Sequence, residues 1–411
     1  MKLTLDPGAA ALLDTLHAAG YAAYAVGGCV RDSLLGRTAH DWDLCTSALP
    51  QQVMELFGTE QCIPTGLQHG TVTIKYGGQL YETTTFRTEG SYTDGRHPDE
   101  VRFVPDVRED LARRDFTINA MAYNAAEGLV DPFGGQKDLQ NGLLRAVGEP
   151  QQRFTEDALR ILRLYRFAAR FGFALDAATA RAARQLAPHL DCISAERIQE
   201  ELAKLLAAPQ PGAYLEPAVL AVVLPELFTP ENAPRFEAAR AIIDTLPEGL
   251  PEVSARLAAL LLPLGEQGTR KALKQLRCSN ALIEEVTTLV REAGLVPEEK
   301  TAARAIQARR LLGRLEPDTL RRLLALCAAH RPEQAAAFAA LQTAAGRLQA
   351  ENACCRVGQL AVNGRDLMAL GLPPGPGLRG QLEALLEAVI TGQLPNERQA
   401  LLAAVKIELD P

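Results

Sequence analysis

Aromatic side chains and long hydrophobic runs are both scarce in this sequence of 411 residues. Phe, Trp and Tyr together make up 5% of the chain, and Trp42 is its single tryptophan. No apolar run approaches the roughly 20 residues that a helix needs to span a bilayer. Met1 leads into an amphipathic segment rather than the apolar core of a signal peptide. These absences argue against a membrane protein and predict a cytoplasmic location.

The cysteines lack the Cys-x-x-Cys spacing that is typical of structural zinc sites. They are scattered along the chain as Cys29, Cys45, Cys62, Cys192, Cys278, Cys327, Cys354 and Cys355. This distribution argues against zinc and predicts reduced thiols in a reducing compartment.

A global excess of basic charge is also missing. The formal net charge is −7, so a nucleic acid must be bound through a local basic surface. Ala and Leu are abundant, which favours helices. A chain of this length is expected to form about two to four domains.

What is present begins with a glycine turn. The apolar run Tyr21–Val26 predicts a buried strand, and Gly27-Gly28 follows it directly before a predicted helix. Such a turn lets backbone amides approach phosphate oxygens. Asp41 and Asp43 lie two apart in a second extended run, which places both carboxylates on one face of a strand. Carboxylates beside a phosphate turn predict a site for Mg²⁺. The alternative is an ordinary turn with a solvated Asp-Trp-Asp loop.

These residues resemble the Gly-Gly-x-Val-Arg-Asp and Asp-x-Asp motifs of polymerase-β-like nucleotidyltransferases. The closer resemblance is to the class II tRNA nucleotidyltransferases and bacterial poly(A) polymerases. It implies that Asp41 and Asp43 are catalytic metal ligands, and that Gly28 and Arg31 line the triphosphate. A second block, Arg113 to Ala120, resembles the Arg-Arg-Asp-Phe-Thr-Ile-Asn-Ala motif of the same enzymes. Its Arg114 can hold a phosphate oxygen, while Asp115 or Asn119 can order the loop.

Between these motifs, Gly77-Gly78 predicts a hairpin of strands Thr71–Tyr76 and Gln79–Phe86. Glu82 on the second strand is either a third catalytic carboxylate or a solvent-facing residue. The polar stretch Arg87–Glu100 predicts a mobile loop. The resemblance implies that enzymes adding only CC have a shorter loop here.

A helix is predicted from Thr155, with Arg160, Arg163, Arg166 and Arg170 on one arc of about 120°. Acidic residues are too few in residues 151–184 to pair these arginines, so the pattern predicts arginines that are free to bind an anion. The alternative is a solvated basic face. The Glu-Asp-x-x-Arg block resembles the nucleotide-selecting motif of class II enzymes. It implies that Asp157 and Arg160 meet the base, with Arg163 and Arg166 toward the nucleotide.

Two later segments also indicate anion binding. Residues 300–331 carry eight Lys or Arg and two acidic residues, which predicts a phosphate-binding patch, with ordinary surface as the alternative. The Gly/Pro turn Gly371–Gly380 precedes a predicted helix and resembles the tRNA-binding tail of bacterial tRNA nucleotidyltransferases.

The resemblance implies an α+β fold, with a small mixed-sheet nucleotidyltransferase head followed by a helical neck, body and tail. We expect the boundaries at 1–148, 149–210, 211–335 and 336–411. The implied function is addition of CCA to the 3′ end of tRNA from CTP and ATP, without a nucleic-acid template and with Mg²⁺. An A-adding enzyme, a poly(A) polymerase and an inactive RNA-binding protein are the alternatives.

Overall fold

A computed structural model describes residues 3–90 and 101–409. Eleven strands occur in these residues: β1 (Ala23–Val26), β2 (Leu44–Thr46), β3 (Cys62–Gly66), β4 (Thr71–Tyr76), β5 (Gln79–Thr85), β6 (Arg87–Glu89), β7 (Val101–Phe103), β8 (Ala122–Asn124), β9 (Gly128–Val130), β10 (Leu143–Leu144) and β11 (Ala174–Leu175). Seven of them form one sheet in the order β3-β4-β5-β2-β1-β8-β9. The β2–β5 pair is parallel and the other pairs are antiparallel, so the sheet is mixed.

Twenty α-helices accompany these strands in the described residues. The first ten are α1 (Pro7–Ala18), α2 (Gly28–Leu34), α3 (Pro50–Phe57), α4 (Val107–Ala112), α5 (Gly135–Gln140), α6 (Pro150–Glu156), α7 (Leu159–Phe171), α8 (Ala177–Leu186), α9 (Ala195–Leu206) and α10 (Pro217–Val223). The others are α11 (Ala233–Thr245), α12 (Val253–Leu261), α13 (Gly265–Gln275), α14 (Asn280–Glu292), α15 (Thr301–Arg314), α16 (Pro317–His330), α17 (Ala335–Ala350), α18 (Gly364–Ala369), α19 (Pro376–Ile390) and α20 (Arg398–Leu409).

The chain folds into two compact units. The first comprises the chain up to Thr229 together with Gln275–Arg277, and the second comprises Pro230–Lys274 and the chain from Cys278 onward. All the strands belong to the first unit, and the described part of the second unit contains only helices and turns. No helix in the described residues is both long enough and apolar enough to cross a bilayer.

The sheet is built around apolar residues that alternate into one core. Val26 of β1, Cys45 of β2 and Phe86, which directly follows β5, pack with Leu111 of α4, and each is at most 1% exposed. Helix α1 begins at the Asp6 cap, whose Oδ2 accepts the Ala9 amide at 3.0 Å. This core fixes the ends of β1 and β2, where the glycine turn and the aspartates lie.

Several elements differ from their sequence predictions. Asp41 and Asp43 precede β2 rather than lying within a strand, although the Asp43 carbonyl accepts the Val26 amide at 2.9 Å. Residues 87–89 of the predicted loop form β6, and residues 91–100 of that loop lie outside the described residues. The β8–β9 hairpin was not predicted because each strand is only three residues long. The neck is not entirely helical, since β11 pairs with β10.

The predicted helix from Thr155 is wrong in its start and its continuity. Thr155 lies inside α6, which begins at Pro150, and its hydroxyl bonds the Gln151 carbonyl at 2.8 Å. Asp157 is extended, with φ −141° and ψ 103°. The chain therefore breaks between α6 and α7, and Asp157 lies at the break rather than on one continuous helical face with Arg160.

Candidate active site

A cavity of about 610 Å³ lies in the first unit. It is lined by Gly27, Gly28, Arg31, Asp32, His40, Asp41, Asp43, Arg113, Arg114, Asp115, Asn119, Asp157, Leu159, Arg160, Arg163, Arg166, Phe167, Arg170 and Arg197. All nine residues predicted from the sequence as site residues are in this set. Its eight arginines outnumber its five aspartates, so three positive charges remain in excess. The cavity is therefore suited to a highly charged anion such as a triphosphate.

The glycine turn lies at one wall of the cavity. Gly27 has φ +78°, a conformation that favours glycine, and its amide donates to the Met121 carbonyl at 3.1 Å. A Cβ atom at Gly27 would lie 2.9 Å from Nη1 of Arg114. Glycine here lets the backbone and the Arg114 guanidinium approach each other closely.

Arg31 is held rigidly beside this turn. Its Nε donates to Asp32 at 2.8 Å, and its Nη1 donates to Oδ1 of Asn119 at 2.5 Å. The guanidinium also lies 4.8 Å from the centroid of the Phe171 ring. The residue is only 4% exposed, so Arg31 supports the wall as well as lining it.

The two aspartates of the Asp-x-Asp motif form an acidic corner. Asp43 opens into the cavity, but the enclosing protein raises its pKa above the ordinary value. Arg114 opposes this effect, while Glu82 and Asp41 add to it. Glu82 is exposed on β5, where the β2–β5 register places it next to Asp43, and it is not among the described residues that line the cavity.

Asp115 connects the turn after α4 to helix α7. Its Oδ1 accepts the Phe116 amide at 2.8 Å and the Asn119 amide group at 3.0 Å. Its Oδ2 accepts Nη2 of Arg163 at 2.6 Å. Burial alone would raise the pKa of Asp115, but the Arg163 charge and these hydrogen bonds lower it to about 2.

The expectation that the arginines of α7 are unpaired is wrong. Their partners are Glu156 for Arg160 at 2.7 Å, Asp115 for Arg163 at 2.6 Å, Glu201 for Arg166 at 2.5 Å and Asp32 for Arg170 at 3.8 Å. Only the first partner lies in the segment 151–184. The other three come from elsewhere in the chain, which a count of local charges cannot detect.

Asp157 and Arg160 both face the cavity but do not pair in the structure. Asp157 bonds the Leu159 amide at 3.0 Å and Arg197 at 2.9 Å. Arg160 bonds Glu156 and the carbonyl oxygens of Arg153 and Arg113. The two side chains are thus held separately, by different parts of the protein.

Several lining residues were not predicted as site residues. Asp32 and Arg113 belong to the two quoted motifs, and that membership was the available signal. Arg197 lies on α9, 40 positions beyond Asp157, and nothing in its local sequence indicates a cavity.

Comparison with known proteins identifies the family. The descriptions "Poly A polymerase head domain", "Probable RNA and SrmB- binding site of polymerase A" and "tRNA nucleotidyltransferase domain 2 putative" match residues 23–145, 172–232 and 250–405. A CCA-adding enzyme of Lactiplantibacillus plantarum is 38% identical over 405 residues, which cover 97% of this chain and 95% of the relative. The chain belongs to the CCA-adding enzyme family.

Other members of the CCA-adding enzyme family agree with this assignment. The Geobacillus kaustophilus CCA-adding enzyme is 38% identical over 391 residues, or 93% of this chain and 92% of the relative. The crystal structure of the Bacillus stearothermophilus CCA-adding enzyme in complex with CTP has a TM-score of 0.80 and 33% identity, and covers 98% of both chains. The predicted family, nucleotidyltransferase activity and α+β architecture are confirmed.

Membership of the CCA-adding enzyme family implies the use of a divalent metal ion, and the acidic corner fits one. Asp41 and Asp43 supply hard oxygen donors. Burial is the main cause of the raised pKa of Asp43, and the negative charges of Glu82 and Asp41, which a cation would offset, add to it. No group of three or more His, Cys, Asp or Glu suited to a metal occurs in the described residues. The two carboxylates would share a divalent cation with the oxygens of the substrate phosphates.

Proposed function

We propose that this chain adds C, C and A in turn to the 3′ end of tRNA, using CTP and ATP and no nucleic-acid template. One observation carries the proposal: a single cavity brings together the Asp41–Asp43 pair, an excess of arginine and the pair Asp157 and Arg160. The first group suits metal-assisted transfer, the second a triphosphate and the third a base edge. Family membership favours this function over an A-adding enzyme, a poly(A) polymerase or an inactive RNA-binding protein.

Asp41 and Asp43 are assigned as the ligands of Mg²⁺. When bound, Mg²⁺ lowers the pKa of the attacking tRNA 3′-hydroxyl and stabilises the charge on departing pyrophosphate. By holding the cation at a fixed place in the cavity, Asp41 and Asp43 would keep that hydroxyl and the α-phosphate next to each other. Glu82 beside Asp43 increases the negative charge of this corner.

The triphosphate is assigned to the glycine turn and to Arg114, with Arg31 behind them. Arg114 makes a single long contact, 3.5 Å from Nη2 to Asp110, and its buried Nε has no hydrogen-bond partner among the described residues. A guanidinium with unused donors beside a backbone turn is suited to phosphate oxygens. Gly28 adds room, because a Cβ there would meet only Arg31 at 3.6 Å.

Base selection is assigned to Asp157 and Arg160, with Arg163 and Arg166 completing the nucleotide wall. The Asp157 carboxylate can accept a hydrogen bond from the amino group of cytosine or adenine, and Arg160 can donate to a ring nitrogen or carbonyl. Uracil and guanine present a carbonyl oxygen where the amino group stands, and a carboxylate repels it. We place the reaction in the cytoplasm, where the eight free thiols of this chain are stable.

The test uses tRNAs that end before CCA, before CA and before A. Each is incubated with CTP, with ATP, with both, and with UTP or GTP alone, and the products are sequenced. We expect C, C and A to be added in that order and no extension by UTP or GTP. Addition of A alone, or of a long A tract, would instead assign the chain to one of the alternative enzymes.

A further inference from the structure

The support for Asp157 comes from a helix that the sequence did not connect to the site. Helix α9 begins after Ser194 and packs along α7, with Ile198, Leu202 and Leu205 buried. Arg197 projects from the first turns of α9 into the cavity wall. Its side chain is 23% exposed, and that of Asp157 is 17% exposed, so their ion pair is largely shielded from water.

The hydrogen bonds of Asp157 leave little freedom to its carboxylate. Oδ1 accepts the Leu159 amide at 3.0 Å, and Oδ2 accepts Nη2 of Arg197 at 2.9 Å. The terminal torsion of an aspartate is otherwise broad. With one fixed donor on each oxygen, the remaining lone pairs point in defined directions. The Leu159 amide is part of the backbone, so Arg197 is the side chain that completes this restraint.

Arg197 also has a donor to spare. Its Nη1 is buried and has no hydrogen-bond partner among the described residues. One turn later on α9, Glu201 pairs with Arg166 at 2.5 Å. The same helix therefore holds an acidic residue of the cavity through Arg197 and a basic one through Glu201.

We propose that Arg197 is a positioning residue for base selection, acting by fixing the Asp157 carboxylate. The inference rests on the proposed role of Asp157. Cytosine and adenine offer an amino group as donor, whereas uracil and guanine have a carbonyl there, and their nearest donors are N3–H and N1–H, one ring position away. A fixed carboxylate meets only the amino group. A carboxylate free to rotate reaches the ring N–H as well, so losing Arg197 admits the wrong bases.

The experiment measures kcat/KM for CTP, UTP and GTP on a tRNA that lacks CCA, and for ATP and GTP on one that lacks only A. The variants are Arg197→Met, Arg197→Lys, Asp157→Ala and the double variant Asp157→Ala/Arg197→Met. Arg184→Met is the matched control, because Arg184 also forms an ion pair, with Glu216 at 3.5 Å, but does not line the cavity.

In Arg197→Met we expect the preference for CTP over UTP to fall roughly tenfold to hundredfold, the factor associated with one hydrogen bond to a charged group. The KM for CTP should change by less than about threefold, because the triphosphate contacts remain. Arg197→Lys should recover part of the preference, since it keeps the charge but not the planar geometry. Arg184→Met should keep the parental preference.

The double variant separates a role through Asp157 from a role of its own. If Arg197 acts through Asp157, adding Arg197→Met to Asp157→Ala causes no further loss of preference. If the double variant loses as much further preference for CTP over UTP as Arg197→Met loses alone, the inference is overturned. It is also overturned if Asp157→Ala loses the preference and Arg197→Met keeps it. Parental preference in Asp157→Ala overturns the proposed base-reading site itself. If Arg197→Met does not fold, Arg197→Lys decides by the same comparison.

Discussion

Helix α7 and the body segment 300–331 are both rich in arginine, and both segments were predicted to bind an anion. In the structure their arginines have different partners. Those of α7 pair with acidic residues and, together with Arg31, Arg114 and Arg197, line a cavity that retains positive charge. Those of the body segment lie on α15 and α16 or, for Arg331, directly after α16, and carboxylates and backbone carbonyl oxygens within the second unit bond to them.

Three of the body arginines bond carbonyl oxygens. Arg309 donates to the Val389 and Ile390 carbonyls at the end of α19, and Arg331 donates to the Ala293 and Leu295 carbonyls just after α14. Arg304 donates to two carbonyls immediately before α15. Arg309 and Arg331 donate at helix C-termini, where a cation satisfies carbonyl groups that have no partner within the helix, and Arg304 ties the segment before α15 to that helix. These arginines therefore stabilise the helical packing.

Four others pair with carboxylates from outside the segment. The pairs are Arg310 with Glu387, Arg314 with Glu292, Arg321 with Glu252, and Arg322 with Glu285. The expectation of a basic patch in residues 300–331 counted charges along the sequence, but the neutralising acids are up to 77 positions away. Anion binding is better predicted by a cavity that gathers charge than by the charge of a segment.

The largest effect is expected from substitutions in the acidic corner, because the function assigned to the cavity depends on it. Asp43→Ala or Asp41→Ala should lower nucleotidyl transfer by about a thousandfold or more, because the cation loses a ligand where charge develops. Binding of tRNA should change little. Asp14→Ala on the exposed face of α1 is the control. Transfer at more than a tenth of the parental rate in either variant would remove that residue from the metal site.

A second readout for this prediction does not depend on activity. Trp42 is the single tryptophan and stands between the two aspartates. Its fluorescence should sensitise Tb³⁺ luminescence in the parent, since Tb³⁺ is a hard cation that substitutes for smaller ones at carboxylate sites. Asp43→Ala should lose this signal, and Asp14→Ala should retain it.

The next prediction compares one arginine from each region. Arg163→Met should lower kcat/KM for CTP roughly tenfold to hundredfold, because it removes a charged donor from the nucleotide wall. Arg321→Met should change kcat/KM by less than about twofold and cost up to roughly 1 kcal/mol in the free energy of unfolding, as partly exposed ion pairs do. Equal kinetic losses in the two variants would contradict the distinction drawn between the regions.

Sequence reasoning found the cavity through motifs whose residues are close in the chain. The local pattern was sufficient there, because one short stretch that starts at the glycine turn contains Gly28, Arg31, Asp41 and Asp43, and an unbroken block contains Arg114. It failed where long-range pairs decide the outcome. The contact of Arg197 with Asp157 at the break between α6 and α7 depends on the packing of α9 on α7. The β8 and β9 strands are too short to carry a periodic signal.

Acidification tests whether the pairing within the cavity contributes to folding. The pKa of Asp115 is about 2 in the folded chain and about 4 in an unfolded one. Because the folded value is the lower one, the stabilisation is complete above about pH 4 and is lost as the pH falls toward 2. It amounts to roughly 2 kcal/mol. Urea unfolding of Asp115→Asn should show a weaker loss of stability over this pH range than the parent.

The control for this measurement is Asp14→Asn, which changes an exposed carboxyl on α1. It should follow the parental pH dependence closely. If Asp115→Asn also follows it, the Asp115–Arg163 pair does not hold the folded state, and its role is confined to the arrangement of the site.

The smallest expected effect concerns the carbonyl-bonding arginines of the body. Arg309→Met should lower the free energy of unfolding by about 1 kcal/mol, because it removes two hydrogen bonds at the end of α19. Arg379→Met is the matched control, since Arg379 lies on α19 itself, is 82% exposed and, within the described part of the chain, pairs with Glu383 one turn away. That change should cost a few tenths of a kcal/mol at most.

The salt dependence of tRNA binding distinguishes the two uses of arginine, because each lost phosphate contact lowers its slope by about one. An unchanged slope in Arg309→Met assigns Arg309 to helix packing, whereas a lower slope with unchanged stability returns the body segment to the phosphate-binding role that its charge suggested.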